Sequence, residues 1–343
     1  MKAIMAQVIQ SLAMGTVIPG LLFSAVKTVD SVYAQQPPEV QAQQSLPTET
    51  VPDAVFPDEE WEETFEQEVC STVVSVLRSD GTYRQMDLED YICRVVLGEM
   101  PASFEVEALK AQAVAARTYT LRCLDSGKHE NGSVCTSSKC CQAYCEPEGY
   151  IKNGGTYENV RKVFGAVQQT AGQVLYYQNK LIMATYFSSA GGATEDAKSV
   201  WGSSVPYLVT VSSPEGDDRY NGETVSFTAA EFQEKLGLSL KGKPESWFGA
   251  VSYTVGGGVD KIRIGGTQFL GTQVREKLGL RSTDFTISTT DNTITFTTNG
   301  YGHRVGMSQY GADAMAATGS DYEQILLHYY TGTRLGQYSP DSN

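Results

Sequence analysis

The chain has 343 residues, of which 41% are hydrophobic and 19% are charged. This composition excludes an intrinsically disordered protein, and the length suffices for one large domain or two ordinary ones. The formal net charge is −14, so the chain lacks the excess of Lys and Arg that contacts with nucleic acid phosphates require. We therefore expect no nucleic acid partner.

The first 68 residues are predicted to lie outside the fold. Residues 1–34 contain a largely apolar run that is about long enough to cross a bilayer, which indicates a signal-anchor. A small-residue cleavage site at residues 31–34 makes a cleaved signal peptide the alternative. Residues 35–68 are rich in Pro and Gln and then acidic, which predicts an extended linker. The preferred localisation is the cell membrane, with a single-pass N-terminal anchor and an extracytoplasmic globular domain.

The globular part is predicted to begin with a hairpin and a helix. A strand over residues 72–77 is followed by Asp80-Gly81, a strong turn signal. Asp87 can cap a helix with an apolar side. Pro101 disfavours helical geometry in the residue before it, so this helix must end near Glu99. A residue at such a helix end can point into a cleft.

A second helix is predicted from about residue 105 to 124, opened by Ser103, with Lys110 and Arg117 on one face. Beyond it, strands and helices are interspersed irregularly. This pattern predicts an α+β fold with a mixed sheet and helices, not the regular alternation of a doubly wound sheet. The other predicted elements are a hairpin over 174–187 around Asn179-Lys180, short helices within 224–236 and 271–278 that end at Gly237 and Gly279, helices over 308–318 and 321–330, and strands at 261–264 and 293–297.

Four of the seven cysteines lie between residues 135 and 145, and His129 precedes them. Disulfides are the usual interpretation in an exported chain. However, the adjacent Cys140 and Cys141 would need different partners, and a histidine before the first cysteine fits a tetrahedral zinc site. Structural zinc is preferred, and disulfides or free thiols are the alternatives. Buried, isolated thiols are predicted for Cys70, Cys93 and Cys123.

Several collinear motifs extend over residues 73–336. They occupy residues 91–101, 107–119, 189–195 with 200–202, 278–282, and 302–312. Together they strongly resemble the SpoIID family. One position departs from the family pattern, because relatives usually have Gly-His-Gly where this chain has Gly302-His303-Arg304. The arginine is expected to add bulk and charge beside the cleft.

The resemblance implies a catalytic domain over residues 69–338, with a short tail at 339–343 and two lobes around a glycan-binding cleft. The implied activity is that of a lytic transglycosylase, which cleaves MurNAc–GlcNAc bonds of peptide-free peptidoglycan strands during forespore engulfment. In this reaction the C6 hydroxyl of the sugar attacks C1 and gives a 1,6-anhydro product, so one carboxyl group suffices where a glycosidase needs two. Glu99 matches the catalytic position, and burial should raise its pKa towards neutrality.

Further site residues and partners follow from the same resemblance. The implied zinc ligands are His129, Cys135, Cys140 and Cys141, with Cys145 as an alternative fourth ligand; relatives have His where this chain has Cys140. The implied partners are a SpoIIP-type amidase–endopeptidase and a SpoIIM-type membrane protein. A non-catalytic, wall-binding amidase enhancer is the alternative function. The candidate substrate-binding residues, each with a structural alternative, are Lys110, Arg117, Ser189, Gly191, Gly192, His303, Gln309 and Tyr310.

Overall fold

The computed structural model describes residues 72–216 and 219–339. The predicted anchor over residues 1–34 and the predicted linker over 35–68 therefore lie outside the described residues, as does Cys70. Within the two described ranges, no helix is both long enough and apolar enough to cross a membrane.

The described residues form a mixed α+β fold, as predicted. The helices are α1 (Leu88–Glu99), α2 (Val106–Asp125), α3 (Pro147–Lys152), α4 (Tyr157–Gln168), α5 (Ala197–Trp201), α6 (Ala229–Leu236), α7 (Gly271–Leu278), α8 (Gln309–Ala317) and α9 (Tyr322–Tyr329). The strands are β1 (Val73–Leu77), β2 (Tyr83–Asp87), β3 (Ser133–Cys135), β4 (Gln173–Tyr177), β5 (Lys180–Leu181), β6 (Tyr186–Phe187), β7 (Glu223–Thr228), β8 (Phe248–Tyr253), β9 (Val259–Ile264), β10 (Thr267–Leu270), β11 (Phe285–Thr289), β12 (Thr293–Thr298), β13 (Met307–Ser308) and β14 (Arg334–Gln337).

These strands form small sheets, most of them antiparallel. The sheet orders are β2-β1-β3, β14-β4-β5, β10-β9-β8, β11-β12-β7 and the pair β13-β6. Strands β1 and β3 pair in parallel, and so do β13 and β6. The parallel pairing of β13 with β6 joins segments that are far apart in sequence, and it brings Tyr186 and Met307 opposite each other.

Two hydrophobic cores divide the described chain. The first surrounds α2, whose inner alanines are fully buried, and its buried residues come from 74–208 and 305–330. The second is aromatic and draws its buried residues from 227–296, with Phe232 stacked against both Trp247 and Phe296. Residues 223–298 are called the inserted region below, and the other described residues are called the main region. The two cores agree with the predicted two lobes.

The helix ends follow local sequence signals in most places. Asp87 caps α1 by accepting a hydrogen bond from Glu89 N–H at 2.8 Å, and α1 ends at Glu99 as Pro101 requires. Both Gly237 and Gly279 adopt the left-handed conformation as C-caps. A capping box of Asp321 with Gln324 is also present at the start of α9.

Two predicted elements need correction. Helix α2 begins at Val106 with no side-chain cap, so Ser103 does not open it; Glu105 N–H instead donates to Asp313 Oδ1 at 2.7 Å. The hairpin over 174–187 ends early, because its second strand, β5, stops at Leu181 and residues 186–187 pair with β13 instead. The helix predicted within 224–236 is present as α6, and strand β7 precedes it. Both corrections reflect a distant partner that local sequence patterns do not reveal.

Candidate active site and metal centre

Glu99 is the last residue of α1 and is half-buried against the loop that follows β3. Its Oε1 accepts a hydrogen bond from Ala143 N–H at 2.5 Å. Gly98 makes this contact possible, since a Cβ there would lie 2.8 Å from Tyr144 N. Cys145 N–H also donates to Arg94 O at 3.0 Å, which ties the same loop to the last turns of α1. The Gly-Glu pair thus lets one loop pack directly on the helix end.

The environment of Glu99 favours the protonated acid. Burial raises the pKa of Glu99 above its ordinary value, and hydrogen bonds from Ala143 N–H and the Tyr186 hydroxyl offset part of that rise. The same Tyr186 O–H also reaches Gln142 Oε1 at 2.8 Å, so its single proton is shared between Glu99 and Gln142, and Gln142 Nε2 donates to Thr120 Oγ1 at 2.8 Å. This chain of hydrogen bonds anchors the groups around Glu99 to helix α2.

Two pockets meet at Glu99. The larger has a volume of about 660 Å³ and the smaller about 390 Å³. Both are lined by Glu99, Ser188 and Gln309, so the carboxyl group stands between them. The inserted region lines the larger pocket with Thr272, Arg275, Glu276, Gly279, Leu280 and Arg281. The main region lines the smaller pocket with residues that include Tyr150, Asn159, Arg219, Tyr220 and Tyr310.

Three of the predicted substrate-binding residues line these pockets. His303 lies in the larger pocket between the rings of Phe187 and Trp201. Burial lowers the pKa of His303 to about 4, with a smaller contribution from the charge of Arg275, so the imidazole is neutral at pH 7. Gln309 lines both pockets, and Tyr310 lines the smaller one.

The three predicted residues at 189–192 do not line either pocket. Ser189 is fully buried and exchanges backbone hydrogen bonds with Tyr301. Gly191 has φ +69°, and a Cβ there would lie 2.9 Å from the carbonyl carbon of Asn299. Gly191 therefore permits close approach of another backbone segment, which agrees with the tight-turn alternative. Gly192 has φ +119° and open space around its Cα.

Lys110 and Arg117 also lie away from both pockets. Arg117 is fully buried and pairs with Glu89 through several hydrogen bonds, including Nη2 to Oε2 at 2.5 Å. It donates further to the carbonyl oxygen of Gln173 at 3.0 Å. Lys110 pairs with Glu107 at 2.7 Å. Arg117 thus joins α2 to α1 and β4, and Lys110, besides its pair within α2, lies 5.8 Å from the centroid of the Tyr322 ring in α9. Neither cation contacts Glu99.

Arg304 differs from the expectation that it would add charge beside the cleft. Its side chain is 1% exposed and lines neither pocket, and its backbone has φ +64°, in the left-handed region that favours glycine. The guanidinium pairs with Glu195 at 3.3 Å. It also donates to Ala190 O and Ala193 O in the main region and to Gly256 O in the inserted region. Arg304 therefore fastens the two regions together.

The four predicted metal ligands form one cluster. The ligand atoms of His129, Cys135, Cys140 and Cys141 all lie within 4.8 Å of one another. His129 Nε2 is 3.2 Å from Cys141 Sγ and 3.3 Å from Cys140 Sγ. Every cysteine in the described residues has a free thiol. A tetrahedral zinc ion with thiolate and imidazole ligands separates its donors by roughly 3.5–3.8 Å, so the cluster suits such an ion.

The cluster adjoins the loop that contacts Glu99. Cys141 and Ala143 are two residues apart, so a ligand and the N–H donor to Glu99 belong to one short segment. The thiol of Cys145, the alternative ligand, lies against its neighbour Glu146 and outside the cluster. Cys93 and Cys123 are buried, as predicted.

Sequence reasoning missed several pocket residues. Tyr186 is hidden in a segment that was predicted as one continuous strand, and its neighbour Ser188 lines both pockets. Arg281 lies within the recognised motif at 278–282, which was the available signal for this part of the pocket. The pocket also contains residues with no motif at all, namely Arg275 and Glu276.

The family model for stage II sporulation protein, SpoIID, matches residues 78–177, which include Glu99 and the metal cluster. Stage II sporulation protein D of Bacillus subtilis (strain 168) is 42% identical over 267 residues, covering 76% of this chain and 77% of that protein. The chain belongs to the SpoIID family.

Two further relatives extend this result. Stage II sporulation protein D of Bacillus amyloliquefaciens is 40% identical over 266 residues, covering 76% of this chain and 77% of the relative. A Bacillus subtilis (strain 168) protein named amidase enhancer is 32% identical over 307 residues, covering 71% of this chain but 40% of its own length. SpoIID membership confirms the resemblance that the motifs indicated.

Proposed function

We propose that this SpoIID-family chain acts in sporulation as a lytic transglycosylase that cleaves peptide-free peptidoglycan strands, with Glu99 as the catalytic residue. The single observation that carries the proposal is the state of Glu99. It is a shielded carboxyl group with a raised pKa, and it stands where two pockets meet. A glycan lying through both pockets would present its scissile bond to this group.

One carboxyl group can serve both proton transfers. As the acid, Glu99 would donate its proton to the glycosidic oxygen between MurNAc and GlcNAc as that bond breaks. The resulting carboxylate would accept the proton of the C6 hydroxyl while the C6 oxygen bonds to C1. This step gives the 1,6-anhydro ring and restores the protonated Glu99. No water molecule enters the product. Ala143 N–H would stabilise the transient carboxylate through its hydrogen bond to Oε1.

A second carboxyl group lines the larger pocket, and a mechanism that uses two carboxyl groups is the alternative to the proposed one. Glu276 also lines that pocket, on the wall formed by α7. A glycosidase would need such a partner as nucleophile or base, whereas the proposed reaction does not. Glu276 is therefore the matched control for Glu99.

The test digests purified peptide-free glycan with the wild type and with Glu99→Gln and Glu276→Gln variants. We expect anhydro-MurNAc ends from the wild type and from Glu276→Gln, and none from Glu99→Gln. Retained cleavage by folded Glu99→Gln protein would contradict the assignment of Glu99 as the catalytic residue. Loss of cleavage in both variants, with ordinary reducing ends in the wild type, would indicate a two-carboxylate hydrolase.

Structural zinc belongs to the same proposal. His129, Cys135, Cys140 and Cys141 would hold the ion, which would supply a fixed crosslink and no reacting group. Its role would be to hold the segment that carries Ala143 N–H against Glu99. The four donors match the nitrogen and sulfur ligands that zinc prefers.

The setting of the activity is also proposed. An N-terminal membrane anchor would keep the catalytic domain outside the cytoplasm, beside a SpoIIP-type amidase–endopeptidase and a SpoIIM-type membrane protein. A peptide-removing amidase is the class of enzyme that must supply peptide-free strands. Co-purification of the full chain with each partner from sporulating cells tests this setting, and the absence of both would contradict it.

A second candidate function is amidase enhancement, which the relative of that name supports. An enhancer would bind the wall and raise the rate of a separate amidase without cutting glycan. Glu99→Gln protein would then stimulate an amidase as well as the wild type does. The digestion above separates the two functions, because only the transglycosylase releases anhydro ends by itself.

A further inference from the structure

Two arginines and two tyrosines stack beside the pockets. The guanidinium of Arg219 lies 5.0 Å from the ring centroid of Tyr220, and that of Arg281 lies 5.2 Å from the same ring. Arg281 also lies 5.2 Å from the ring of Tyr301. The rings of Tyr220 and Tyr301 meet edge to face at 5.0 Å. These four residues are called the Arg–Tyr stack.

The stack spans both pockets that meet at Glu99. Arg219 and Tyr220 line the smaller pocket, and Arg281 and Tyr301 line the larger one. Arg281 comes from the inserted region, whereas its stacking partners come from the main region. The cations are accessible, since Arg219 is exposed and the side chain of Arg281 is 38% exposed. The stack thus presents one cation to each pocket of a chain with net charge −14, and Lys139 and Arg275 also line the larger pocket.

Stacking prepares a guanidinium for carboxylate recognition. An aromatic face fixes the plane of the guanidinium, and the planar fork can then bind a carboxylate through two parallel hydrogen bonds. Glu223 currently pairs with Nε of Arg281 at 2.9 Å. A guanidinium carries five N–H donors, so this one pair does not exhaust it. Because both partners are 38% exposed, the pair can exchange with an incoming carboxylate at little cost.

We infer that the Arg–Tyr stack binds the free carboxylates of peptide-free glycan and so selects strands from which the stem peptides have been removed. This inference rests on the proposed function for its substrate. Removal of a stem peptide converts a neutral amide on the lactyl group of MurNAc into a carboxylate close to the sugar ring. A peptide-bearing strand offers no charge at that position, and it also brings bulk to the place where the stack lies.

Binding measurements with the full chain test the stack directly. A Glu99→Gln background prevents cleavage, and two labelled ligands are compared: peptide-free glycan, and the same glycan with its carboxylates converted to methylamides. Amidation should weaken binding to the background protein by roughly 25-fold if both arginines contribute independently, at about fivefold each. Added salt should weaken binding of the carboxylate form and leave the amidated form unchanged.

Three variants in that background assign the effect. Arg281→Gln should weaken binding of the carboxylate form about fivefold and leave the amidated form unchanged. Glu223→Gln should strengthen binding of the carboxylate form, because it removes the competing anion. Arg263→Gln removes an exposed arginine that lines neither pocket, so it should bind both ligands as its parent does. Thermal melting is measured for each of these variants and for Arg281→Lys, which keeps the positive charge. These measurements separate lost recognition from lost folding.

Failure of this inference differs from failure of the proposed function. If amidation does not weaken binding, or if folded Arg281→Gln protein loses as much affinity on amidation as its parent does, the inference is overturned. If carboxylate-dependent binding is present but the wild type releases no anhydro ends, the stack recognises glycan and the transglycosylase proposal fails instead.

Discussion

The main region and the inserted region contribute different kinds of groups to the pockets. The main region supplies Glu99, which is shielded, hydrogen-bonded and has a raised pKa, and it also supplies the neutral His303. The inserted region supplies charged side chains, including Arg281 and Glu276. Proton transfer at neutral pH needs a desolvated acid, whereas recognition of a charged polymer needs accessible charge. The proposed proton transfer thus rests on the main region alone, whereas the charged and aromatic groups proposed for recognition come from both regions.

Removal of the proposed zinc should have the largest effect on stability, and it should destabilise the main region. Structural zinc contributes on the order of 10 kcal/mol in small metal-dependent domains, so even a partial share is large here. We expect one zinc per chain, and a fall in melting temperature of about 10 °C or more after chelation or in Cys141→Ser. Hydrogen exchange at Ala143 should also accelerate.

Cys145→Ser is the control for that experiment, because its thiol lies outside the cluster. This variant should keep both its zinc and its melting temperature. Purified protein that lacks zinc and melts identically with and without chelator would contradict a structural metal. Disulfides found by mass spectrometry among the three cluster cysteines would point to the alternative from the sequence.

Substitution of Arg304 should weaken the contacts between the main region and the inserted region. Replacement by glycine, the residue that relatives usually have there, relieves the left-handed backbone but removes the ion-pair partner of the buried Glu195, which keeps hydrogen bonds from the Thr254 hydroxyl and Gly258 N–H. Loss of one partner of a buried pair costs about 3–5 kcal/mol, and relief of the backbone returns about 1–2 kcal/mol. We expect Arg304→Gly to lower the free energy of unfolding by about 2 kcal/mol in urea denaturation.

A double variant sharpens this prediction. Glu195→Gln in the Arg304→Gly background removes the unpaired charge and should recover part of the lost stability. If Arg304→Gly is as stable as the wild type, the buried pair does not hold the two regions together.

The smallest expected effect concerns Tyr186 within the main region. Its hydrogen bond to Glu99 lowers the pKa of that carboxyl group, so Tyr186→Phe should raise the pKa further. The reaction needs protonated Glu99, so activity falls as pH rises through this pKa. The alkaline limb of the pH–rate profile should therefore move to higher pH.

Tyr207→Phe is the control for Tyr186→Phe. Tyr207 is also a buried tyrosine, but its hydroxyl accepts a hydrogen bond from Met183 N–H, and it lines neither pocket. The control should leave the alkaline limb in place. An unmoved limb in Tyr186→Phe as well would show that Tyr186 does not tune Glu99.

Local sequence signals predicted much of the fold. The cap at Asp87, the helix end before Pro101 and the glycine C-caps are set by interactions within a few residues, so they can be read from the chain. The early end of the hairpin after Leu181 could not be read in this way. It depends on pairing of Tyr186 and Phe187 with β13, more than 100 residues later.

The candidate site divides along the same line. Glu99 and the four metal ligands belong to compact motifs, so the sequence predicted them as groups. Lys110 and Arg117 belong to an equally clear motif, yet their contacts serve helix packing, because a motif does not say which face of α2 meets the pocket. Tertiary contacts alone bring together Arg219, Tyr220 and Tyr301, so the sequence did not predict them as a group.

The most direct test of the central claim is whether oxygen from water enters the product. Peptide-free glycan is digested in ¹⁸O-labelled water with the wild type and with Glu99→Gln and Glu276→Gln variants, and the masses of the new MurNAc ends are measured by mass spectrometry. If Glu99 alone acts as acid and then base, the wild type and Glu276→Gln yield unlabelled 1,6-anhydro ends, and Glu99→Gln yields none. Labelled reducing ends that disappear in Glu276→Gln would contradict the single-carboxyl account.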